Sequence, residues 1–461
     1  MIILQILSEI IKKIVSLRSI YNCEIMMEKP PKIDEKALVS YIFNTADESI
    51  YPMVDRINEE YEYWDKVKYK RPLPKGVTPE ILWSYVKASR QAGGIVVWPK
   101  YDVKLFATNK MQRFCHEFDT NFGNFWDSDT PAAKADKMHY QTSSLIEEAI
   151  YSSIMEGAST TRRIAKDMLV RGITPKDKSQ QMIFNNYQTI QYIVQHKDEP
   201  LTEEGLLYIH RLMTNKTMKH EADAGRFRID DDNIVVQNEL TGEIVYTPPA
   251  ASDIPQFIHE LCAFFNSPKG DPFIHPIIRG IIVHYMVAYV HPFVDGNGRT
   301  ARALFYWYMM REGYQLTEYM SISRMIMESK TSYENAFRYC DNDGNDIGYF
   351  VAYNLRVLGR AYQKLKEYVN HKQQEKRAAT LLMVKGKLTE RQSMILQHFR
   401  NSPDDMLTVK DVEVNLSVTT MTARKDLSYL VREGYLEEVP INNIKRGYIR
   451  SERFDELINN R

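Results

Sequence analysis

The stretch His291-Pro292-Phe293-Val294-Asp295-Gly296-Asn297-Gly298-Arg299-Thr300-Ala301-Arg302 gathers the groups that can handle a nucleoside triphosphate into twelve residues. An imidazole beside a proline-constrained turn can act as a general base near neutral pH. A carboxylate four residues on can hold Mg²⁺ against phosphate oxygens. Gly296-Asn297-Gly298 lets backbone N–H groups converge on an anion at the start of a helix. Arg299 and Arg302 project from neighbouring positions of that helix, within reach of phosphate. An Asp-Gly-Asn-Gly tetrapeptide by itself is an ordinary turn signal. The flanks say more, because Pro276 to Val290 is an almost wholly apolar helix entering the turn, and Thr300 to Met310 an apolar, aromatic helix leaving it. A hairpin is thereby excluded, and a helix-loop-helix around a phosphate-sized nest is expected.

These residues resemble the signature of the Fic family, His-Pro-Phe-x-Asp-Gly-Asn-Gly-Arg-x-x-Arg, with every fixed position matched. The resemblance implies a helical fold and transfer of AMP from ATP to a protein Tyr, Thr or Ser hydroxyl. His291 would be the base and Asp295 the ligand of Mg²⁺ (or Mn²⁺). Gly296, Asn297 and Gly298 would cradle phosphates, with Arg299 and Arg302 on the outer ones. Family members that phosphorylate their targets carry lysine at the second motif glycine; Gly298 stands here and favours nucleotidyl transfer. Removal of AMP, or transfer of another phosphate-containing group, is the alternative within the same class.

Ser152-Ser153-Ile154-Met155-Glu156-Gly157 lies in a helix candidate running from Ser143 to Met168. Ser152 and Glu156 share a face of such a helix, and Gly157 removes side-chain bulk beside the carboxylate. A Ser and a Glu on a helix are by default a solvated surface. Beside the signature they are similar to the family's inhibitory Ser/Thr-x-x-x-Glu-Gly motif, in the subgroup that carries it N-terminal to the catalytic motif. That resemblance pairs Glu156 with Arg302, which would present a γ-phosphate with a negative charge and a satisfied guanidinium.

Composition bounds the rest. Lys plus Arg equals Asp plus Glu at 60 each, so no global field announces nucleic acid or membrane. The four cysteines, Cys23, Cys115, Cys262 and Cys340, have no pair spacing, which argues against a disulfide framework or a zinc site and fits a reducing compartment. Met1 to Ser19 begins apolar, but Glu9, Lys12, Lys13 and Arg18 interrupt it. It makes a poor signal peptide and a poor membrane span, and initiation at Met26 or Met27 is an equal reading. A cytoplasmic protein is expected.

The whole reads as mainly α. Residues 1–27 carry no fold assignment, and 28–140 form a helical extension suited to packing or to a homodimer contact. Residues 141–375 form the Fic helical bundle, with an inhibitory helix near 146–166; 376–387 are a linker. Within the bundle, Asn233 to Gln237 and Glu243 to Tyr246 are rich in β-branched residues and form a hairpin. The resemblance makes it a flap that places the target, with Ile234, Val235 and Val236 offering an edge to an extended segment. Tyr333 falls where the family's adenine-side wall is expected, although an aromatic at helical spacing is as often core. His284, seven residues before His291, reads as a hydrogen-bonded core histidine. Asp341 to Asp346 lacks the glycine placement and final glutamate of a calcium loop and reads as a plain loop.

From Leu388 the character changes. Three short amphipathic helices and a two-stranded hairpin around Asn442 to Arg446 resemble a winged helix-turn-helix over 388–461, with Thr422 to Leu427 similar to recognition-helix sequences. Eleven Lys plus Arg against twelve Asp plus Glu leave this module near neutral. Duplex DNA and a protein are therefore both candidate partners, and a DNA-binding regulator with the Fic body as sensor is the rival to the enzyme.

Overall fold

A computed structural model describes residues 27–43, 48–122, 131–237, 242–267, 270, 272–386, 388–416, 418–441 and 445–459. The reading of residues 1–26, the hairpin tip 238–241 and the wing tip 442–444 lie outside them. The chain divides into two compact units, Met1–Ala361 and Tyr362–Arg461.

The first unit opens with helices α1 (Glu35–Ile42), α2 (Tyr51–Glu59), α3 (Trp64–Val67) and α4 (Pro79–Ala92). Asp34 caps α1 and Thr78 caps α4 with side-chain oxygens on early amides. Strands β1 (Ile95–Trp98) and β2 (Val103–Leu105) then pair antiparallel, and α5 (Asn109–Phe122) follows. Only the first of these strands is legible in the sequence, because three residues of β2 carry too short an alternation.

Next come α6 (Pro131–Met155), α7 (Arg162–Arg171), α8 (Lys178–Gln195) and α9 (Glu203–Thr214). Two helices thus replace the single one expected from Ser143 to Met168. Gly157 adopts φ 90°, a left-handed conformation that ends α6, and Thr161 starts α7 by accepting from the Ile164 amide. Strands β3 (Val236–Gln237) and β4 (Ile244–Tyr246) make the hairpin, pairing Val236 with Tyr246. Ile234 and Val235 precede its ladder without joining it.

The body closes with α10 (Ile254–Asn266), α11 (Pro276–Val290), α12 (Asn297–Arg311), α13 (Ile322–Met327), α14 (Lys330–Asn342) and α15 (Gly348–Gly386), within which the two units divide. Helices α11 and α12 form the centre: twelve of fifteen residues in the first and thirteen of fifteen in the second are buried. A helix apolar all round has to be covered on every side. Gly280 sets their closest approach, since a methyl there would lie 3.2 Å from Met309 Sδ and Tyr308 Cδ1.

The extension is locked to this body by buried charge. Lys87 Nζ lies 2.9 Å from Asp343 Oδ2 and 3.1 Å from Asp346 Oδ2. Arg90 donates to Asn58 Oδ1, the Tyr349 hydroxyl and the Glu62 carbonyl, while Tyr61 donates to Asp346 Oδ1 at 2.6 Å. The acidic loop therefore spends two carboxylates on cations of α4, a role its composition did not suggest.

In the second unit α16 (Glu390–Asn401), β5 (Leu407–Thr408), α17 (Val409–Leu416), α18 (Thr420–Arg432), β6 (Leu436–Pro440), β7 (Arg446–Arg450) and α19 (Phe454–Asn459) follow in order. The sheet order is β5-β7-β6. Leu396, Phe399, Leu427, Leu430 and Phe454 centre its core.

Removing a partner from the buried ionic cluster leaves uncompensated charge. Arg90→Ala is expected to destabilise the fold by about 3 kcal/mol, read as a lowered urea midpoint; an unchanged midpoint would show that the cluster contributes nothing.

Candidate functional site

The site forms where α11 ends and α12 begins. His291 is the left-handed cap of α11, with φ 54°, its N–H on the Val287 carbonyl at 3.0 Å. Its Nδ1 lies 3.2 Å from the Ala288 carbonyl. A carbonyl can only accept, so Nδ1 carries the proton and Nε2 keeps its lone pair for a base.

Asn297 ties the turn together. Its Oδ1 accepts from the Phe293 amide and its Nδ2 donates to the Phe293 carbonyl, both at 2.8 Å. The side chain is therefore committed to shaping the loop, leaving its backbone N–H for an anion. Gly296, at φ 83°, precedes α12, which has no side-chain cap. The first amides, those of Asn297, Gly298 and Arg299, thus lack intrahelical acceptors and form an anion-binding end. Asp295 stands half-exposed beside it, its Oδ1 accepting from the Gly296 amide and lying 3.7 Å from Arg299 Nη2.

Arg299 is buried, donates to the Met213 carbonyl at 3.2 Å, and has an Nε with no partner among the described residues. Arg302 is buried one turn further on. Its Nε donates to Ser152 Oγ at 2.9 Å and its Nη2 to the Ser152 carbonyl at 2.9 Å and Glu156 Oε1 at 3.0 Å. Glu156 reaches it from the turn just beyond α6. A methyl at Gly298 would fall well inside contact distance of Glu156 Oε1 and 3.2 Å from Arg302 Nη1. Space beside the carboxylate is thus made by Gly298, while Gly157 supplies the left-handed turn that follows it.

Residues 200–309 match the Fic/DOC family. A protein adenylyltransferase Fic of Nematostella vectensis is 33% identical over 118 residues, covering 26% of this chain and 25% of the relative. One of Drosophila grimshawi is 35% identical over 69 residues, 15% of this chain and 14% of the relative. The chain thus aligns with about a quarter or less of these curated relatives. A Fic family protein of Desulfovibrio desulfuricans superposes with a TM-score of 0.47 at 18% identity, covering 74% of this chain and 94% of that one.

The Fic/DOC segment contains the hairpin, the turn and two further residues that sequence reading passed over. Arg228 is buried at the C-terminal end of α11. Its Nε donates to the His291 carbonyl at 2.8 Å, its Nη2 to the Val290 carbonyl at 3.2 Å and to that of Pro249, and its own N–H to the Pro292 carbonyl at 2.9 Å. A cation there answers the open carbonyls of the helix end. His210 on α9 accepts the Gly225 amide at Nδ1 and so donates from Nε2 to the Asp295 carbonyl at 2.8 Å, its ring stacked 3.8 Å from Phe293. The Gly225-Arg226-Phe227-Arg228 run and a helix-borne histidine were visible, but neither has a spacing that points at the turn.

The hairpin is fixed to the same end of α11, where the Tyr246 hydroxyl donates to the Tyr289 carbonyl at 3.0 Å. Ile244 and Val245 on its second strand are exposed. Tyr333 lies outside the Fic/DOC segment with its hydroxyl 3.0 Å from His284 Nε2 and its ring among Phe337, Phe350 and Tyr353. Its hydroxyl is engaged in the core, and His284 is the hydrogen-bonded histidine expected from its apolar helix. Among the described residues no three His, Cys, Asp or Glu side chains cluster as metal ligands, leaving Asp295 as the single carboxylate of the turn.

Charge states follow from these surroundings. Burial is the largest influence on Glu156 and would raise its pKa, but Arg302 and then Arg299 outweigh it and hold the carboxyl below its ordinary value. Burial lowers His291, opposed by the Ala288 carbonyl and Glu156, so the imidazole is neutral at physiological pH. Burial likewise brings His210 down to about 4 and His284 to about 3.

In the unfolded chain these histidines regain an ordinary pKa of about 6.5. Below that pH the unfolded state binds more protons, so stability falls as the solution is acidified. The urea midpoint is expected to drop between about pH 7.5 and about pH 5, and to drop less in His284→Gln; equal drops would remove His284 as a source.

Proposed function

We propose that the protein transfers AMP from ATP to the hydroxyl of a protein Tyr, Thr or Ser, and that Glu156 restrains this reaction. The observation that carries the reading is Arg302, a buried cation one turn inside an uncapped helix start whose donors are taken up by Glu156 and Ser152. The curated relatives named protein adenylyltransferase support the same reaction class.

In this reading His291 Nε2 takes the proton of the target hydroxyl. The hydroxyl oxygen then forms a bond to the α-phosphorus as the bond to the bridging oxygen breaks, and pyrophosphate leaves. General-base help of this kind is worth about 10²–10⁴-fold. The first amides of α12, with Arg299 and Arg302, hold the phosphates and the charge that develops on them. Asp295, a half-exposed carboxylate beside that anion site, fits the sparing protein ligation typical of Mg²⁺ and would hold Mg²⁺ or Mn²⁺. Such an ion neutralises phosphate charge when bound. The segment Ile234-Val235-Val236 offers backbone to an extended target, while Tyr333 stands on the adenine side.

Glu156→Gly is expected to raise label transfer from α-phosphate-labelled ATP by at least about tenfold, the change given by releasing ~1.4 kcal/mol of differential binding. Glu156→Gly/His291→Ala should return it to background. Label on protein in neither the wild type nor the single variant, with free AMP released from modified protein instead, would replace transfer by the reverse reaction.

A second reading concerns the C-terminal unit, and the exposed face of α18 favours it. Met421, Arg424, Lys425 and Ser428 recur there at helical spacing, while Asp426 turns inward to Arg391 and Gln392. We read residues 388–459 as a winged helix-turn-helix presenting this face to duplex DNA. The full chain should be retained on duplex DNA at low salt, and Arg424→Ala/Lys425→Ala should release it. Equal elution of both proteins would exclude this face.

A further inference from the structure

Helices α6 and α12 meet in an antiparallel register that repeats every four residues. Glu148 opposes Tyr306, with 2.8 Å between carboxylate and hydroxyl; Ser152 opposes Arg302 at 2.9 Å; and Glu156 lies against Gly298. Each step is about one helical turn on α12, and the first is one on α6, with Glu156 following in the turn just beyond that helix; the rung at Glu148 thus bears on where that turn begins.

The first rung is the most heavily bonded. Glu148 is buried, and its carboxylate accepts from the Tyr306 hydroxyl, from the Ser323 amide at 2.9 Å, from Ser321 Oγ at 3.1 Å and from Ser323 Oγ. Its donors come from α12 and from the start of α13, so one side chain of α6 is gripped by two other elements. Beyond the last rung the chain is drawn back to α6, because Arg162 Nε donates to Glu147 Oε2 at 2.8 Å. The turn between these ties is closed by the Glu156, Gly157 and Ala158 amides, which reach the Ser153, Ile154 and Ser153 carbonyls at 3.1, 3.1 and 3.0 Å.

We propose that Glu148, through Tyr306 and Ser323, is a positioning residue that holds α6 in the register delivering Glu156 to Arg302. Release of Glu156 is then confined to the turn around Ser153 to Ala158, and loosening the anchor frees that turn at a distance. The inference rests on the restraint by Glu156 proposed above. Glu148 makes no hydrogen bond to Glu156 or to the motif turn, although its charge acts on Arg302; Tyr306→Phe and Ser323→Ala keep that charge and so read the effect that passes through helix register.

Tyr306→Phe, which keeps the ring but removes the donor to Glu148 and the acceptor of the Ile322 amide, Ser323→Ala and Glu148→Gln test this in the full chain. Hydrogen exchange at residues 153–158 is expected to accelerate about tenfold in each, the effect of losing one hydrogen bond to a buried charged group. AMP transfer should rise in parallel, and neither change should add to Glu156→Gly. Faster exchange confined to the turn, with no transfer by any variant including Glu156→Gly, would keep the anchor and reject the proposed reaction. Transfer by Glu156→Gly, with turn exchange and transfer in all three anchor variants equal to wild type, would overturn the anchor. So would exchange that rises uniformly across the fold with a lowered melting temperature, which is the signature of a merely structural contact.

Discussion

A guanidinium stays protonated wherever it is placed, so burying one obliges the fold to bring acceptors to it. Arg302 imposes this obligation at the centre of the helical body, and much of the surrounding architecture answers it. Ser152 meets it with a hydroxyl and a carbonyl, Glu156 with a carboxylate across 146 residues of chain. To deliver that carboxylate α6 has to stop at Met155, which Gly157 permits by turning left-handed. To receive it α12 has to begin without a side chain at residue 298. A Cβ at that position would displace the same carboxylate, so Glu156 in this pose and Gly298 form one spatial requirement.

The turn between α11 and α12 places the other half of the chemistry and carries its own strain. A non-glycine residue at φ 54° costs about 1–3 kcal/mol and persists only where its surroundings over-determine it. Arg228 does so by gripping the carbonyls of Val290 and His291 and by donating its amide to Pro292, and Asn297 does so by bridging Phe293 at both backbone groups. His210, kept neutral by burial, holds the Asp295 carbonyl from the side. The His291 imidazole is thereby held in a defined tautomer, neutral, with Nε2 unprotonated.

The extension and the hairpin stabilise this arrangement from outside. Lys87 and Arg90 fasten α4 to the loop that leads into α15, and Tyr246 fastens the hairpin to the end of α11 two residues before His291. The exposed Ile244 and Val245 on the hairpin are then held near the turn between α11 and α12 by Tyr246, which leaves their own surface open.

The twelve-residue motif, the two apolar helices around it and the mainly helical body were legible from the sequence, because each rests on local backbone preference or on a period that separates buried from solvated faces. The break at Gly157 was misread, since a glycine after a helical run signals a stop as readily as open space. The strand Val103 to Leu105, the cations beneath the acidic loop, and the supporting roles of Arg228 and His210 were not legible at all. Each depends on residues far apart in the chain meeting at a particular distance, and no spacing within one segment encodes that. Sequence by itself determined which groups are present and which helices carry them. The tertiary structure decided which charge neutralises which, because that depends on the register of α6 against α12 and on the missing side chain at Gly298.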